Sequence, residues 1–525
     1  MRRTTFLTTV LGAVVVLYVL AALLYMAVMP DLNHDEHQFM ASAYLVATQG
    51  LQPYRDFAYF HMPNLVYLYA WLLPLTDYPF LVIRLFTGAC ALAIAATIFL
   101  MARSILSNYA TAPRLLIAFG SVLLFVNSPV LAAATAHVWN HTPATLCALL
   151  TLAFYLQALR RGAVRYFFLS GLSLGMAIGI RVSFAPMVVP FLVVLFLPSI
   201  AKEIRRWPSF AAFTGGGILA NLPALYFLAT SPAQFVFGNL GYATLNTLYR
   251  QELGFEGSMS LLEKLIYFVR VVLFKPGDLS IVLIALYIFL YICFKVGVKQ
   301  IRTAPVAQPS VVLVPLVIPF LYIGSIAPTP LWQQYFFAPV PFLLVGILYG
   351  LNYWPNKKGR PTSTRLFLLC AVLSVAFGPF AQAREALPLL FQVKQWFPMT
   401  MHQVANEVAH ELAAVADTNP TATTVLTLAP LYAVEAGAPI YLQFATGPFA
   451  WRVGHLLSPA ERQKQNIISP FDLSILLEQE APAAILLTNK RNDEAAEQPL
   501  AQAAQQLGFH PRHLSDGSTL WVKSP

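Results

Sequence analysis

The sequence predicts an all-α polytopic membrane protein with about 11 spans, closed by a small C-terminal α/β soluble domain. Three observations lead there. Of 525 residues, 58% are hydrophobic and only 11% are charged, against about 25% charged in an ordinary soluble chain. Apolar runs near the length of a spanning helix, roughly 17–25 residues, recur along the chain with short basic segments between them. From about residue 387 the composition changes to that of a soluble domain.

Predicted spans are 5–29, 81–101, 114–131, 144–159, 165–180, 182–199, 209–229, 278–296, 310–327, 335–353 and 365–386. The first follows Arg2-Arg3 and is too long for a signal-peptide core of roughly 7–15 residues, so it reads as a retained anchor. The cations sit at Arg2-Arg3, Arg103 to Arg114, Arg160 to Arg165, Lys202 to Arg206, Lys295 to Arg302 and Lys357 to Arg365. With these spans all six clusters fall on one side, the cytoplasmic one by the positive-inside rule. The N-terminus is then cytoplasmic and the C-terminal domain extracytoplasmic. The net charge of +10 is thereby explained by topology, which excludes a nucleic-acid-binding stripe. A further span at 262–275 would throw Lys295–Arg302 outside, so that segment is expected along the outer interface. Segment 63–75 is too short and aromatic to span.

Cys90, Cys147, Cys293 and Cys370 lie singly in apolar runs, which predicts packing thiols, without disulfides or zinc. Gly171, Gly175 and Gly179 recur every four residues, the spacing of close helix packing. Arg181 at the end of that run either snorkels to the interface or serves a site. Residues 387–525 show a helical pattern over 401–416, strand-like runs at Thr424–Leu428, Ala484–Thr488 and Thr519–Val522, and a polar helix near 494–507. This alternation predicts the α/β domain.

The loop 30–62 carries Asp31, Asp35, Glu36 and Asp56 with His34, His37, His61 and Arg55. It reads either as a solvated loop or as a site. An expected interfacial helix over 37–47 would pin Asp35-Glu36 at headgroup depth, and Tyr54-Arg55-Asp56 to His61 bring cations back towards them. That set suits sugar transfer from a polyprenyl phosphate. A carboxylate takes the acceptor's proton, and cationic donors stabilise the leaving phosphate. His137 and His141, four apart, have the spacing of two ligands on one helical turn. With no third ligand nearby, a hydrogen-bonding role towards sugar or loop fits better. Tyr335 and Trp332 read equally as cavity lining or as interfacial aromatics.

Several elements occur in order: Asp35-Glu36, Ala43-Tyr44, Gly50, Pro53-Tyr54-Arg55-Asp56-Phe57, His61-Met62-Pro63 and Arg84-Leu85, then Gly171 to Arg181, and Gln334-Tyr335-Phe336 with Pro339 and Pro341. This series resembles the protein-O-mannosyltransferase-like and aminoarabinose-transferase-like members of the GT-C glycosyltransferases. The resemblance implies a GT-C fold that uses a polyprenyl-phosphate-linked sugar donor and a lipid, glycan or protein acceptor on the outer face of the bacterial inner membrane. By position it implies Asp35 as the catalytic carboxylate with Glu36 beside it. Arg55, His61, Arg181 and Tyr335 would serve the donor and its phosphate, and His34, Asp56, His141 and Trp332 the sugar or acceptor. His61 stands where many relatives have Lys, which leaves phosphate binding to Arg55, to Arg181 or to a His61 of raised pKa. His137 to His141 carries no carboxylate where relatives often have one. No cofactor is therefore predicted, and a divalent metal stays open. The competing readings are a lipid-linked-sugar transporter or flippase, for which no internal repeat is visible, and a polysaccharide ligase or polymerase. The latter would need a larger late loop than 230–261 with Arg250, Glu252 and Glu256.

Overall fold

The computed structural model describes residues 2–197, 204–255, 258–275, 277–288, 290, 309–352, 360–382, 384–418, 424–488 and 494–523. Its first half runs α1 (Arg2–Val28), α2 (His34–Gln49), α3 (Asn64–Leu72), α4 (Pro79–Ile105), α5 (Thr111–Val126), α6 (Pro129–Thr135), α7 (His141–Arg161), α8 (Val164–Ile180), α9 (Val188–Phe196), α10 (Arg206–Ala220) and α11 (Leu222–Thr230). Among the described residues, five helices are long and apolar enough to cross a membrane: Thr8–Val28, α4, α7, Gln333–Asn352 and Thr362–Ala381. Three bent pairs add to them, as do the shorter apolar helices Val164–Ile180, Val182–Phe196 and Val312–Ile326. Each of the eleven expected spans coincides with one of these, although 278–296 is described only in part. The expectations on Cys293 and on Lys295–Arg302 lie outside the described residues; Cys90, Cys147 and Cys370 are free thiols.

The expected spans 114–131 and 209–229 are not straight. The first breaks by 60° between α5 and α6, and the second by 61° between α10 and α11. Pro129 and Pro223 lie at the start of the following helix in each case. Proline offers no N–H to the preceding turn and pre-sets the backbone for a new one. Leu261–Leu273 and Gly277–Ile288 meet at 106°, so the segment expected along the interface is not collinear with the apolar helix after it.

Helix α8 packs on α10 more extensively than any other helix pair among the described residues. A side chain at Gly171 would overlap the Phe213 carbonyl, and one at Gly216 the Phe168 carbonyl. The two backbones therefore touch because glycines face both ways, as small-residue packing in a bilayer requires. Gly179, about two turns beyond Gly171, abuts the Asn64 side chain of α3 instead. Asn64 Nδ2 donates to the Ala220 carbonyl at 2.8 Å, tying α3 to the end of α10.

The C-terminal region folds as a four-stranded sheet, β1 (Val425–Thr427), β2 (Ala484–Leu487), β3 (Phe509–His513) and β4 (Thr519–Lys523), in the order β1-β2-β4-β3. β1 and β2 are parallel, and the other two pairings antiparallel. Helices Phe397–Thr418 and Glu494–Gln506 flank it. β3 was not expected, because it is an edge strand with Pro511 inside it and buries only Phe509, leaving no alternation to read. This region sits on one end of the helical bundle. Glu435 Oε2 accepts from Phe80 N–H at 3.0 Å, in the first turn of α4. A carboxylate there meets unpaired amides and the positive end of the helix dipole. Burial raises the Glu435 pKa, partly offset by His402, whose Nδ1 lies 2.8 Å away.

Backbone contact between α8 and α10 leaves no room for a side chain. Gly171→Leu is expected to cost on the order of 3 kcal/mol or more, read as a lowered thermal unfolding midpoint in detergent, whereas Gly215→Ala, which faces open space, should leave the midpoint unchanged.

Candidate active site

The site begins at the N-terminus of α2. Asn33 caps the helix with its side chain on Asp35 N–H at 3.0 Å, and Glu36 Oε2 reaches back to Asn33 N–H at 2.9 Å. This capping box fixes where the two carboxylates emerge. They lie in the first turn of α2, which begins at His34, three residues before the expected start of the helix at 37.

The two acids then part. Glu36 is fully buried. Its Oε1 accepts from Arg84 Nε at 2.9 Å and Val138 N–H at 2.8 Å, and its Oε2 from Arg84 Nη2 at 2.8 Å with His137 Nδ1 at 3.3 Å. Burial works against its charge, yet Arg84 and His137 hold the Glu36 carboxyl down to about 2. Arg84, equally buried, also donates to the carbonyls of Pro30 at 2.5 Å and Asp31 at 3.0 Å, and lies over the Phe80 and Phe397 rings. Every oxygen and nitrogen of this pair is occupied by protein.

Asp35 is half-buried, and its side chain receives only a long contact from Gln38 Nε2, 3.5 Å. Burial pushes its carboxyl up to about 6, against the pull of His137, Arg452 and Arg181. Within electrostatic reach of it is a cluster on the break between α8 and α9. Arg181 ends α8 in extended backbone, and Pro186 keeps the following turn from continuing as α-helix. Its guanidinium donates to Ser183 Oγ and Asn140 Oδ1, both at 2.9 Å, meets His141 Nε2 at 3.2 Å, and lies over the Tyr335 ring at 4.8 Å. His141 stacks on Tyr335, ring centres 5.6 Å apart. Together with Thr145 and Ser183 these side chains line a cavity.

His61 joins this cluster through Asn140 Nδ2, 3.4 Å from its Nδ1, and stacks on Phe39 at 4.7 Å. Burial and the neighbouring Arg181 push its pKa down to about 3. It is therefore a neutral ring, which removes the expected option of a cationic His61 of raised pKa. Arg55 lies outside the cluster: its side chain is 59% exposed and 3.4 Å from Asp56. Asp56 closes a turn, its Oδ2 accepting from Gln52 N–H at 2.7 Å. Tyr54 takes a positive φ of 65° there. That conformation costs about 1 kcal/mol or more for a non-glycine residue and is offset by the buried ring, which meets Tyr59, Phe227 and Phe235 edge-on. Much of the Pro53–Phe57 motif thus builds a turn. His34 is half-buried at the first position of α2, and Trp332 is exposed beneath the Arg250 guanidinium. His137 precedes α7 and bonds Glu36, while His141 opens α7 and meets Arg181, so the two do not share a helical turn. Among the described residues no three His, Cys, Asp or Glu side chains converge as a metal-ligand group.

Asn140, Ser183 and Arg452 were not singled out by sequence reading. Asn140 and Ser183 are ordinary polar residues at helix breaks, and Arg452 is one of many cations in the soluble region. A buried pair loses its balance when one partner goes: Arg84→Met is expected to cost about 3–5 kcal/mol. Adding Glu36→Gln should recover part of that loss, because no unpaired charge remains. Thermal unfolding of the singles and the double would show simple additivity if the two residues were uncoupled.

Residues 60–227 match the model of the dolichyl-phosphate-mannose-protein mannosyltransferase family. No curated protein matches the chain by sequence. Among solved structures, ArnT from Cupriavidus metallidurans bound to undecaprenyl phosphate is similar with a TM-score of 0.58 at 13% identity, covering 98% of this chain and 100% of that one. ArnT from the same organism in the apo state gives 0.57 at 13% identity, covering 98% and 99%. The chain is thus a polytopic membrane protein with the fold of the GT-C glycosyltransferases, carrying across residues 60–227 the sequence pattern of their dolichyl-phosphate-mannose-protein mannosyltransferase family.

Proposed function

We propose that this protein is a membrane glycosyltransferase that moves a sugar from a polyprenyl-phosphate donor to an acceptor hydroxyl or phosphate on the outer face of the inner membrane. The observation that carries this reading is the unequal pair at the start of α2. Glu36 is consumed by Arg84, while Asp35 is left half-buried within electrostatic reach of Arg181 and Tyr335. In this reading Asp35 is the base and Glu36 a positioning residue. ArnT, which shares the fold, is described with undecaprenyl phosphate, and this supports a lipid-phosphate donor.

The reaction needs a proton acceptor and an anion partner. An acceptor hydroxyl gives its proton to Asp35 as its oxygen attacks the anomeric carbon. The bond from that carbon to the phosphate oxygen breaks, and its electron pair leaves with the polyprenyl phosphate. Arg181, braced by Asn140, Ser183 and the Tyr335 ring, is the cation positioned to stabilise that charge. Neutral His61 and His141 serve as hydrogen-bonding groups beside it. An acceptor phosphate oxygen, already ionised, would need only steering by Asp35.

The contacts at the two ends of α4 support this orientation. Phe80 N–H is bonded to Glu435 of the C-terminal region, and Ser104 Oγ accepts from Arg160 Nη1 at 2.6 Å. At 1.5 Å rise per residue these points are about 36 Å apart, so the basic loops after α4 and α7 lie at the end away from Asp35. With those loops cytoplasmic, the N-terminus is cytoplasmic and Asp35 and the C-terminal domain are outside.

Purified protein given a radiolabelled polyprenyl-phosphate sugar and a membrane-lipid extract as acceptor source is expected to transfer label. Asp35→Asn should lower kcat by about 100-fold or more, and unchanged transfer by that variant would remove Asp35 as the base. Because a base must be ionised and burial holds Asp35 at about 6, the rate should hold above that pH and fall roughly tenfold per unit well below it. Arg181→Gln should lose activity at every pH, since guanidinium does not titrate in this range.

A further inference from the structure

The C-terminal domain does more than rest on the membrane domain. Its helix Pro430–Glu435 packs on α2, and its helix Pro448–Gly454 packs on the helix Tyr242–Glu252 and on the end of the first loop. Gly447, at a φ of 58°, comes so close to α2 that a side chain there would stand 3.0 Å from His37 Cβ, two residues from Asp35. Ala450 is buried in one apolar cluster with Ala58 and Phe60 of the first loop. Phe449 meets the edge of Tyr242, which stacks on Phe60 at 3.9 Å and 7°. Arg452 follows Phe449 by three positions, on the same helical face, and its guanidinium lies over the Phe449 ring at 5.8 Å. That face meets Tyr242 through Phe449, and both Tyr242 and Asp35 feel the Arg452 charge.

We propose that Arg452 is a positioning residue for Asp35, supplied by the C-terminal domain, so that docking of this domain completes the site. The inference rests on the reading of Asp35 as the base. The charged and titratable groups bearing on Asp35 are His137, Arg452, Glu36 and Arg181, and Tyr335 and Tyr242 feel its charge in turn. Glu36 is matched by Arg84, and Arg181 is shared with Asn140, Ser183 and His141. Arg452 is the cation brought to Asp35 from outside the membrane domain. It opposes the burial that favours the protonated acid, and thereby keeps the base ionised over a wider range of pH.

The test compares Arg452→Met with Arg452→Lys in the full chain, held in nanodiscs. Both keep an unbranched stem for packing on Phe449, and only Lys keeps the charge. The protonated-carboxyl infrared band, taken as wild type minus Asp35→Asn, reports the titration of Asp35 without any substrate. Loss of one opposite charge is expected to move the midpoint upward by about half to one pH unit in the Met variant, with the Lys variant staying near wild type. Transfer of labelled sugar at pH 6 should then be about two- to fivefold slower for Met, with little change at pH 8.5. Equal midpoints in the Met and Lys variants overturn the proposal, as does a Met variant whose loss is the same at both pH values. Thermal unfolding of each variant separates a misfolded domain from a mispositioned acid. An active Asp35→Asn enzyme would sink the base reading, whereas an inactive one with an unmoved midpoint in Arg452→Met would sink only the role of Arg452.

Discussion

The buried pair of Glu36 and Arg84 is the constraint on which the site depends. One carboxylate joins the cap of α2, the side chain of α4 and the loop leading into α7, while its partner guanidinium also holds the carbonyls before α2. Two fully buried charges are expensive to desolvate and are tolerated only when every oxygen and proton finds a partner, as happens here. Such a pair contributes little net stability against an apolar substitute. It contributes register: three segments cannot slide past one another without breaking it. Asp35, one residue away, inherits that fixed position.

The same arrangement explains how two adjacent acids acquire different characters. Side chains at successive positions of a helix point about 100° apart, so Glu36 enters the protein while Asp35 stays half-buried. Burial without a dedicated partner raises Asp35, and burial with an arginine lowers Glu36. The environment sets this division, and the sequence Asp-Glu alone does not say which acid takes which part.

Much of the fold was legible because lipid imposes simple rules. Apolar run length marked the helices, and the basic clusters after α4 and α7 lie at the end of α4 opposite the C-terminal region. The kinks at Pro129 and Pro223 were written in the sequence but lost in averages over span-length windows. In the site, Asp35, His61, His141, Arg181 and Tyr335 could be named from the order of motif elements, since each lies at a helix start or break. Arg55 misled, because a cation beside a conspicuous motif draws attention, yet the motif mostly builds the turn around Tyr54. Asn140 and Arg452 were invisible for another reason: their neighbours come from segments 41 and hundreds of residues away, Asn140 reaching Arg181 and Arg452 lying across from Asp35. Only three-dimensional proximity reveals such partners.

The cap on α4 has a consequence for the order of events during synthesis. Phe80 enters the membrane 355 residues before Glu435 leaves the ribosome. Until then the amides at that helix end must be served by water or headgroups, and the helix Pro430–Glu435 that packs on α2 is missing. A nascent chain with all its spans inserted therefore still lacks the contacts through which Glu435 caps α4 and Gly447 abuts α2.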